Sequence, residues 1–251
     1  TIIPNLIEAS QKNRNKGINN ISIFEIGPIF KGDLPENQLS VVTGLRFGNK
    51  IEKNWKNEKL SFDFYDIKSD VFQCLEALSC PTSGLKIYDS APKYYHPGKS
   101  GVLKLGNTVI ASMGEINPII LNHFNTKEIY FCFEIFLDNL PRPKKVSSFK
   151  PLLKSSPLQS VKRDFAFILD NNVLVEDLIS VVKSSNRDHI IKVMIFDIYT
   201  GENIPKDKKS IALSVEMQPT QNTFTDQQLE DISNTIINSV SKKLNAEIRK
   251  A

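Results

Sequence analysis

The sequence predicts an α+β fold built in two parts. Strand-type alternation recurs along the whole chain, mostly in neighbouring segments separated by turn residues, which calls for hairpins rather than a strict strand–helix–strand alternation. Helical periodicity is confined to a few separate segments, the strongest of them near the C-terminus. Between the two parts lies Pro141-Arg142-Pro143-Lys144-Lys145-Val146-Ser147-Ser148, a run of prolines and basic residues without periodicity. A boundary there gives domains 1–148 and 149–251.

In the first domain, Ile3, Leu6 and Ile7 fall at helical spacing and Gly17 supplies a stop, predicting a helix between Thr1 and Lys16. Ile21–Phe30 is rich in β-formers, with Gly27-Pro28 bending it or marking an edge. Leu39–Phe47 is a second strand, and Asn49–Lys59, which holds the lone Trp55, a charged connection. Ser61–Ile67 reads as a strand, followed by a helix over Asp70–Leu78 with Val71, Leu75 and Leu78 on one side. Short strands follow at Leu85–Tyr88, Ser100–Leu105 and Val109–Met113. Asn117-Pro118 opens a short helix, Asn as its cap and Pro at its first position, and Ile129–Phe136 returns to strand. The expectation is a mixed or antiparallel sheet, mostly hairpin-connected, with a few helices.

In the second domain, Arg163–Leu169 alternates, Asp170-Asn171-Asn172 makes a turn and cap, and Leu174–Lys183 is helix-like. Lys192–Tyr199 and Ser210–Met217 are strands joined by a Gly-, Pro- and Lys-bearing loop, expected to be an exposed hairpin. Ile211, Leu213, Val215 and Met217 form one face of the second; in the first, Met194, Phe196 and Ile198 form an apolar face opposite Asp197 and Tyr199. Thr225-Asp226-Gln227-Gln228 matches a capping box, with Phe224 and Leu229 as its staple. Leu229, Ile232, Ile236, Val240 and Leu244 continue as an apolar stripe, and Ala246–Arg249 closes with a short strand. The order β, α, β, β, α, β is the ferredoxin-like split βαβ pattern, with helices on one sheet face and the other face open.

With 251 residues, 40% apolar and 24% charged, the chain has the composition of a globular protein. No apolar run approaches the roughly 20 residues needed to span a bilayer, so no membrane association is expected and the reading is cytoplasmic. Cys74, Cys80 and Cys132 are odd in number and without CxxC spacing, and the three histidines are dispersed, so no disulfide framework or metal site is indicated. Residues 1–148 carry 18 Lys/Arg against 15 Asp/Glu, and 149–251 carry 14 against 13. Bulk charge therefore marks neither part as a polyanion binder, and an RNA contact must come from local placement, as at Lys206, Lys208 and Lys209. If the strands around the hairpin pair, Asp197, Tyr199 and Ser210 come together on the open face. An aromatic ring, an acceptor and a hydroxyl beside lysines can serve an unpaired base; a strand-end aromatic at a loop is the plainer alternative.

These residues carry a resemblance. Val161–Ala166, Phe196–Gly201, Lys209–Leu213, Thr223–Asp226 and Ala246–Arg249 are similar, in order and spacing, to the ferredoxin-fold anticodon-binding domain of the bacterial phenylalanyl-tRNA synthetase β subunits. Phe24–Gly27, Asp66-Ile67-Lys68, His96–Ser100 and Met113–Pro118 resemble the same family's catalytic-like module, a class II synthetase fold that has lost its chemistry. Asn117 stands where His is expected and Lys99 where Arg is usual. The resemblance implies a fragment, the C-terminal half of such a subunit, that scaffolds a catalytic α subunit in an α2β2 heterotetramer and binds the tRNA(Phe) anticodon. It implies RNA contacts at Asp197, Tyr199 and Ser210, with Arg163 a further candidate that could instead position the domain. ATP and Mg²⁺ would belong to the holoenzyme and no cofactor to this fragment.

Nothing in the first domain reads as a catalytic set. Its arginines are Arg14, Arg46 and Arg142, and no Gly-rich phosphate loop is present. His96-Pro97-Gly98 reads as a fixed turn, and Asp63, Asp66 and Asp70 as a solvated strand end and helix cap. An independent enzyme using this domain, or a regulatory module holding a small amino acid in a degenerate pocket, are the alternatives.

Overall fold

The computed structural model describes residues 1–82, 84–141 and 156–249. The chain divides into two compact units, 1–148 and 149–251. From Arg142 onward the expected linker lies outside the described residues, as does Arg142 itself.

The first unit begins with helix α1 (Ile3–Arg14), followed by strands β1 (Ile21–Phe30) and β2 (Gln38–Phe47) and a small ribbon of β3 (Asn49–Ile51) with β4 (Leu60–Ser61). Helix α2 (Phe64–Ala77), strands β5 (Leu85–Tyr88), β6 (Tyr95–Leu105) and β7 (Thr108–Ile116), helix α3 (Pro118–His123) and strand β8 (Tyr130–Phe136) complete it. Six strands form one sheet in the order β1-β2-β8-β7-β6-β5, antiparallel at every ladder. β1, with Pro28 in it, is an edge, where the missing N–H does least harm. β8 is central and buried at every residue, so it reads as a continuous apolar run. Phe131, Phe133 and Ile135 pack under Ile67, Val71 and Leu75 of α2, while Tyr130 and Cys132 face Ile3, Leu6 and Ile7 of α1.

Two expectations change here. Ser61–Ile67 is not a strand, because the backbone turns helical at Phe64. Asp63 caps α2 by accepting from the N–H groups of Tyr65 and Asp66, and the Asp66 carboxylate reaches back to the Asp63 N–H. His96-Pro97-Gly98, expected as a fixed turn, lies inside β6 at a register shift between Tyr95 and Ser100, with His96 Nδ1 accepting from Gly98 N–H.

The second unit runs β9 (Val161–Asp170), α4 (Val175–Ser185), β10 (Ile190–Tyr199), β11 (Lys208–Met217), α5 (Asp226–Leu244) and β12 (Glu247–Ile248). The sheet order is β10-β11-β9-β12, antiparallel throughout, as the ferredoxin-like pattern requires. Phe165, Phe167 and Leu169 of β9 and Ile211, Leu213, Val215 and Met217 of β11 bury one face against Leu178 and Val182 of α4 and Ile232, Ile236 and Val240 of α5. Thr225 and Gln228 form the expected capping box. The cap foreseen at Asp170–Asn172 is absent from α4, whose N-cap is Leu174 without a side-chain bond.

The apolar face expected on β10 is also revised. A register shift between Ile195 and Asp197 breaks the alternation, so Val193 and Ile195 face the core. Met194, Phe196 and Ile198 are each more than half exposed, at 51%, 56% and 53%.

Candidate nucleic-acid interface

Directly paired residues of an antiparallel ladder point to the same side of the sheet, so the registers decide which side chains meet. Tyr199 is paired with Ser210, and Ser210 with Ile168, in one cross-strand row. Asp197, Ala212 and Ala166 form the next row on the same face. Opposite them, Ile211 and Leu213 point into the helix-covered core, so both rows lie on the open face. Asp197, Tyr199 and Ser210 are thus brought together.

The register shift at Phe196 makes this possible. Without it, a two-residue period would carry Asp197 and Tyr199 to the side of Val193 and Ile195.

Two details of the site were not legible in the pattern. The Tyr199 hydroxyl donates to the carbonyl of Glu202 at 3.3 Å, and a Cβ on Gly201 would stand 2.4 Å from that hydroxyl oxygen. The loop thus fixes the ring at the sheet's edge. Ser210, flanked by Tyr199 and Ile168, is only 3% exposed. Its hydroxyl lies deep between its neighbours rather than at the surface.

Arg249 is the residue that sequence reasoning missed. Its backbone N–H donates to the Ala166 carbonyl, continuing the β12–β9 ladder, and its guanidinium lies over the Tyr199 ring, 5.6 Å from the centroid. The Arg249 backbone thus lies at the Ala166 end of the Asp197–Ala212–Ala166 row, while its guanidinium reaches the Tyr199 ring of the neighbouring row. The signal was present in Ala246–Arg249, since pairing of that short strand beside β9 carries Arg249 to the open face.

The remaining candidates are not all brought to this face. Arg163 pairs with Val215, a core residue, and so belongs to the helix side of the sheet at the exposed start of β9. Lys209 also lies on that side, and its ammonium donates to the carbonyls of Asn171 at 3.0 Å and Val173 at 2.7 Å. It closes the turn before α4. Lys208 is on the open face, 4.0 Å from the Glu247 carboxylate, and Lys206 is exposed on the loop.

In the first unit, the two described arginines are committed to carboxylates. Arg46 binds Asp70 through two nitrogens, at 2.5 and 2.8 Å, and that hydrogen bonding holds its pKa above the ordinary range. Arg14 pairs with Glu128 at 2.6 Å. Cys74, Cys80 and Cys132 are free thiols, and burial pushes all three upward in pKa. Among the described residues no group of three or more His, Cys, Asp or Glu is arranged to hold a metal ion, and no helix is long and apolar enough to cross a membrane.

Residues 156–249 match the family described as the ferredoxin-fold anticodon binding domain, and residues 1–137 the phenylalanyl tRNA synthetase beta chain CLM domain. The phenylalanine–tRNA ligase beta subunit of Rhodospirillum rubrum is 39% identical over 250 residues, 99% of this chain and 31% of that protein. Those of Paramagnetospirillum magneticum and Brucella abortus are each 36% identical, with 31% and 32% of their lengths covered. A solved pyrrolysyl tRNA synthetase from Desulfitobacterium hafniense has a TM-score of 0.42 and 14% identity over 55% of this chain and 46% of its own, a likeness too slight to build on. The chain spans about a third of the length of the curated relatives it matches, less than the half expected. With its first 137 residues matched throughout, the chain belongs to the phenylalanyl tRNA synthetase beta chain CLM domain family.

Proposed function

We propose that this chain is a non-catalytic part of a phenylalanine–tRNA ligase, with two tasks. Residues 1–148 scaffold the catalytic α subunit of an α2β2 heterotetramer, and residues 149–251 bind the anticodon of tRNA(Phe). ATP and Mg²⁺ act in the holoenzyme, in the cytoplasm, without residues of this chain as catalysts. The names of the relatives support the ligase, and the pairing of Arg14 and Arg46 with carboxylates supports a first unit that grips no triphosphate.

The observation that carries the RNA reading is the open face of the second sheet, where Tyr199, Ser210 and Asp197 stand in adjacent rows. Loop RNA presents unstacked bases, and stacking on an aromatic is worth about 1–3 kcal/mol per base. An aspartate repels phosphate, so Asp197 belongs on such a face as an acceptor for base N–H groups.

The test is tRNA binding by wild type, Tyr199→Ala and Asp197→Ala, with the cognate anticodon and one altered at its first base. Tyr199→Ala is expected to weaken binding about tenfold to a hundredfold, following the stacking energy. Asp197→Ala is expected to relax base choice more than affinity. If both folded variants keep wild-type affinity and preference, the reading is wrong.

A further inference from the structure

We propose that the first unit carries a small-molecule site, built around Glu134, which binds an organic ammonium group on an apolar body. This lies in the other unit from the RNA face and goes beyond the reading above. β8 is buried at every residue, and Glu134 is its one charged side chain, 1% exposed. Taking a carboxylate out of water is unfavourable unless hydrogen bonds and a countercharge replace the water. Glu134 has half of the first and none of the second. Its Oε2 accepts from the Tyr94 hydroxyl at 2.5 Å, while Oε1 has no hydrogen-bond partner. Among the described residues no lysine, arginine or histidine forms an ion pair with it.

The surroundings extend the deficit. Glu134 stands in register between Thr43 of β2 and Ser112 of β7, and the buried Thr43 hydroxyl is also without a partner. Burial beside the Glu134 carboxylate holds the Tyr94 phenol far above its ordinary pKa, so Tyr94 remains a donor at neutral pH.

Glu134, Tyr94 and Ser112 line a cavity of about 400 Å³, walled on its apolar side by Phe30 and Phe136. That volume falls within the range of small-ligand sites. A neutral donor would satisfy the orphaned oxygen but leave the charge; an ammonium group satisfies both through charge-assisted hydrogen bonds. Lys31 and Lys104 line the same cavity, lying over the rings of Phe136 and Tyr88. Neither is within ion-pair distance of Glu134, so an anionic group on the ligand would point toward them.

The experiment titrates the full chain by calorimetry with 2-phenylethylamine and with its charge-reversed counterpart, 3-phenylpropionate. Glu134→Gln keeps the shape and an acceptor for Tyr94, and Glu25→Gln, at the exposed end of the same cross-strand row, is the control. The amine is expected to bind saturably, with phenylpropionate weaker by at least about tenfold. Glu134→Gln is expected to lose roughly tenfold to a hundredfold in amine affinity, and Glu25→Gln little. No saturable amine binding in the millimolar range, or equal loss in both variants, overturns the proposal. If Glu134→Gln does not fold, the wild-type comparison decides, since equal binding of amine and carboxylate also overturns it.

Discussion

At the scale of single residues, the proposed interface depends on how a few side chains are held. The Tyr199 ring stands against the Gly201 Cα, and a methyl group there would overlap the far end of that ring. Because a tyrosine can swing aside, Gly201→Ala is expected to leave unfolding free energy within about 0.5 kcal/mol while displacing the ring. Its signature is weaker tRNA binding at unchanged thermal stability; unchanged binding would show that the ring's position is not used. The lysines separate in the same way. Lys209→Ala strips two carbonyls of their donor and is expected to destabilise the fold by about 1–3 kcal/mol. Lys206→Ala is expected to spare stability and make tRNA binding less salt-dependent. Denaturant unfolding and binding at two salt concentrations distinguish the two. The proximity of Asp197, Tyr199 and Ser210 was legible in the hairpin, although the face they share rests on the register shift at Phe196, since unbroken alternation would carry Asp197 and Tyr199 to the side of Val193 and Ile195. The sidedness of Lys209 and Arg163 was not, since it depends on a ladder register that short polar strand ends do not specify.

Among the elements, those with both a cap and a period were read closely, and those where local signals competed were not. α5 has its capping box and a long apolar stripe, so both its start and its face were evident. In Ser61–Ile67, the β-like run Phe62, Phe64 and Ile67 masked the Asp63–Asp66 box, which starts α2 at Phe64. That start carries a pH-dependent contribution. Burial pushes the Asp66 carboxyl upward, but the Lys50 ammonium and the Asp63 N–H together outweigh it and hold its pKa below the ordinary 3.8. A carboxyl lowered in the folded state adds stability that is complete above its unfolded pKa and disappears as pH falls through its folded value. Asp66→Asn is therefore expected to be less stable than wild type by about 0.3–1 kcal/mol near neutrality. The gap should close as pH drops below 3.8, which urea midpoints across that range would reveal. A gap that persists at pH 2 would point to packing rather than charge.

Across the whole molecule, each unit closes a core from its own residues. The second unit's cluster runs from Phe165 to Ala246, and the first unit's clusters lie between Ile2 and Phe136. This division was legible because Pro141–Ser148 breaks every periodicity between two complete sets of apolar faces. The antiparallel pairing of the first sheet was legible too, in its hairpin connections, but its strand order was not, because a buried central strand such as β8 shows no alternation and joins partners far apart in sequence. Separate cores have a thermodynamic consequence. Ile236, wholly buried between α5 and the second sheet, and Leu75, wholly buried under α2, each lose about 2–5 kcal/mol on truncation to Ala. Ile236→Ala is expected to lower one calorimetric transition of the full chain, and Leu75→Ala the other, with each leaving its neighbour's midpoint in place. The double variant should then show both shifts added, as sites with no shared partners do. If either substitution lowers both transitions together, the two cores unfold as one cooperative unit, and the proposed RNA face could not be altered without disturbing the first unit.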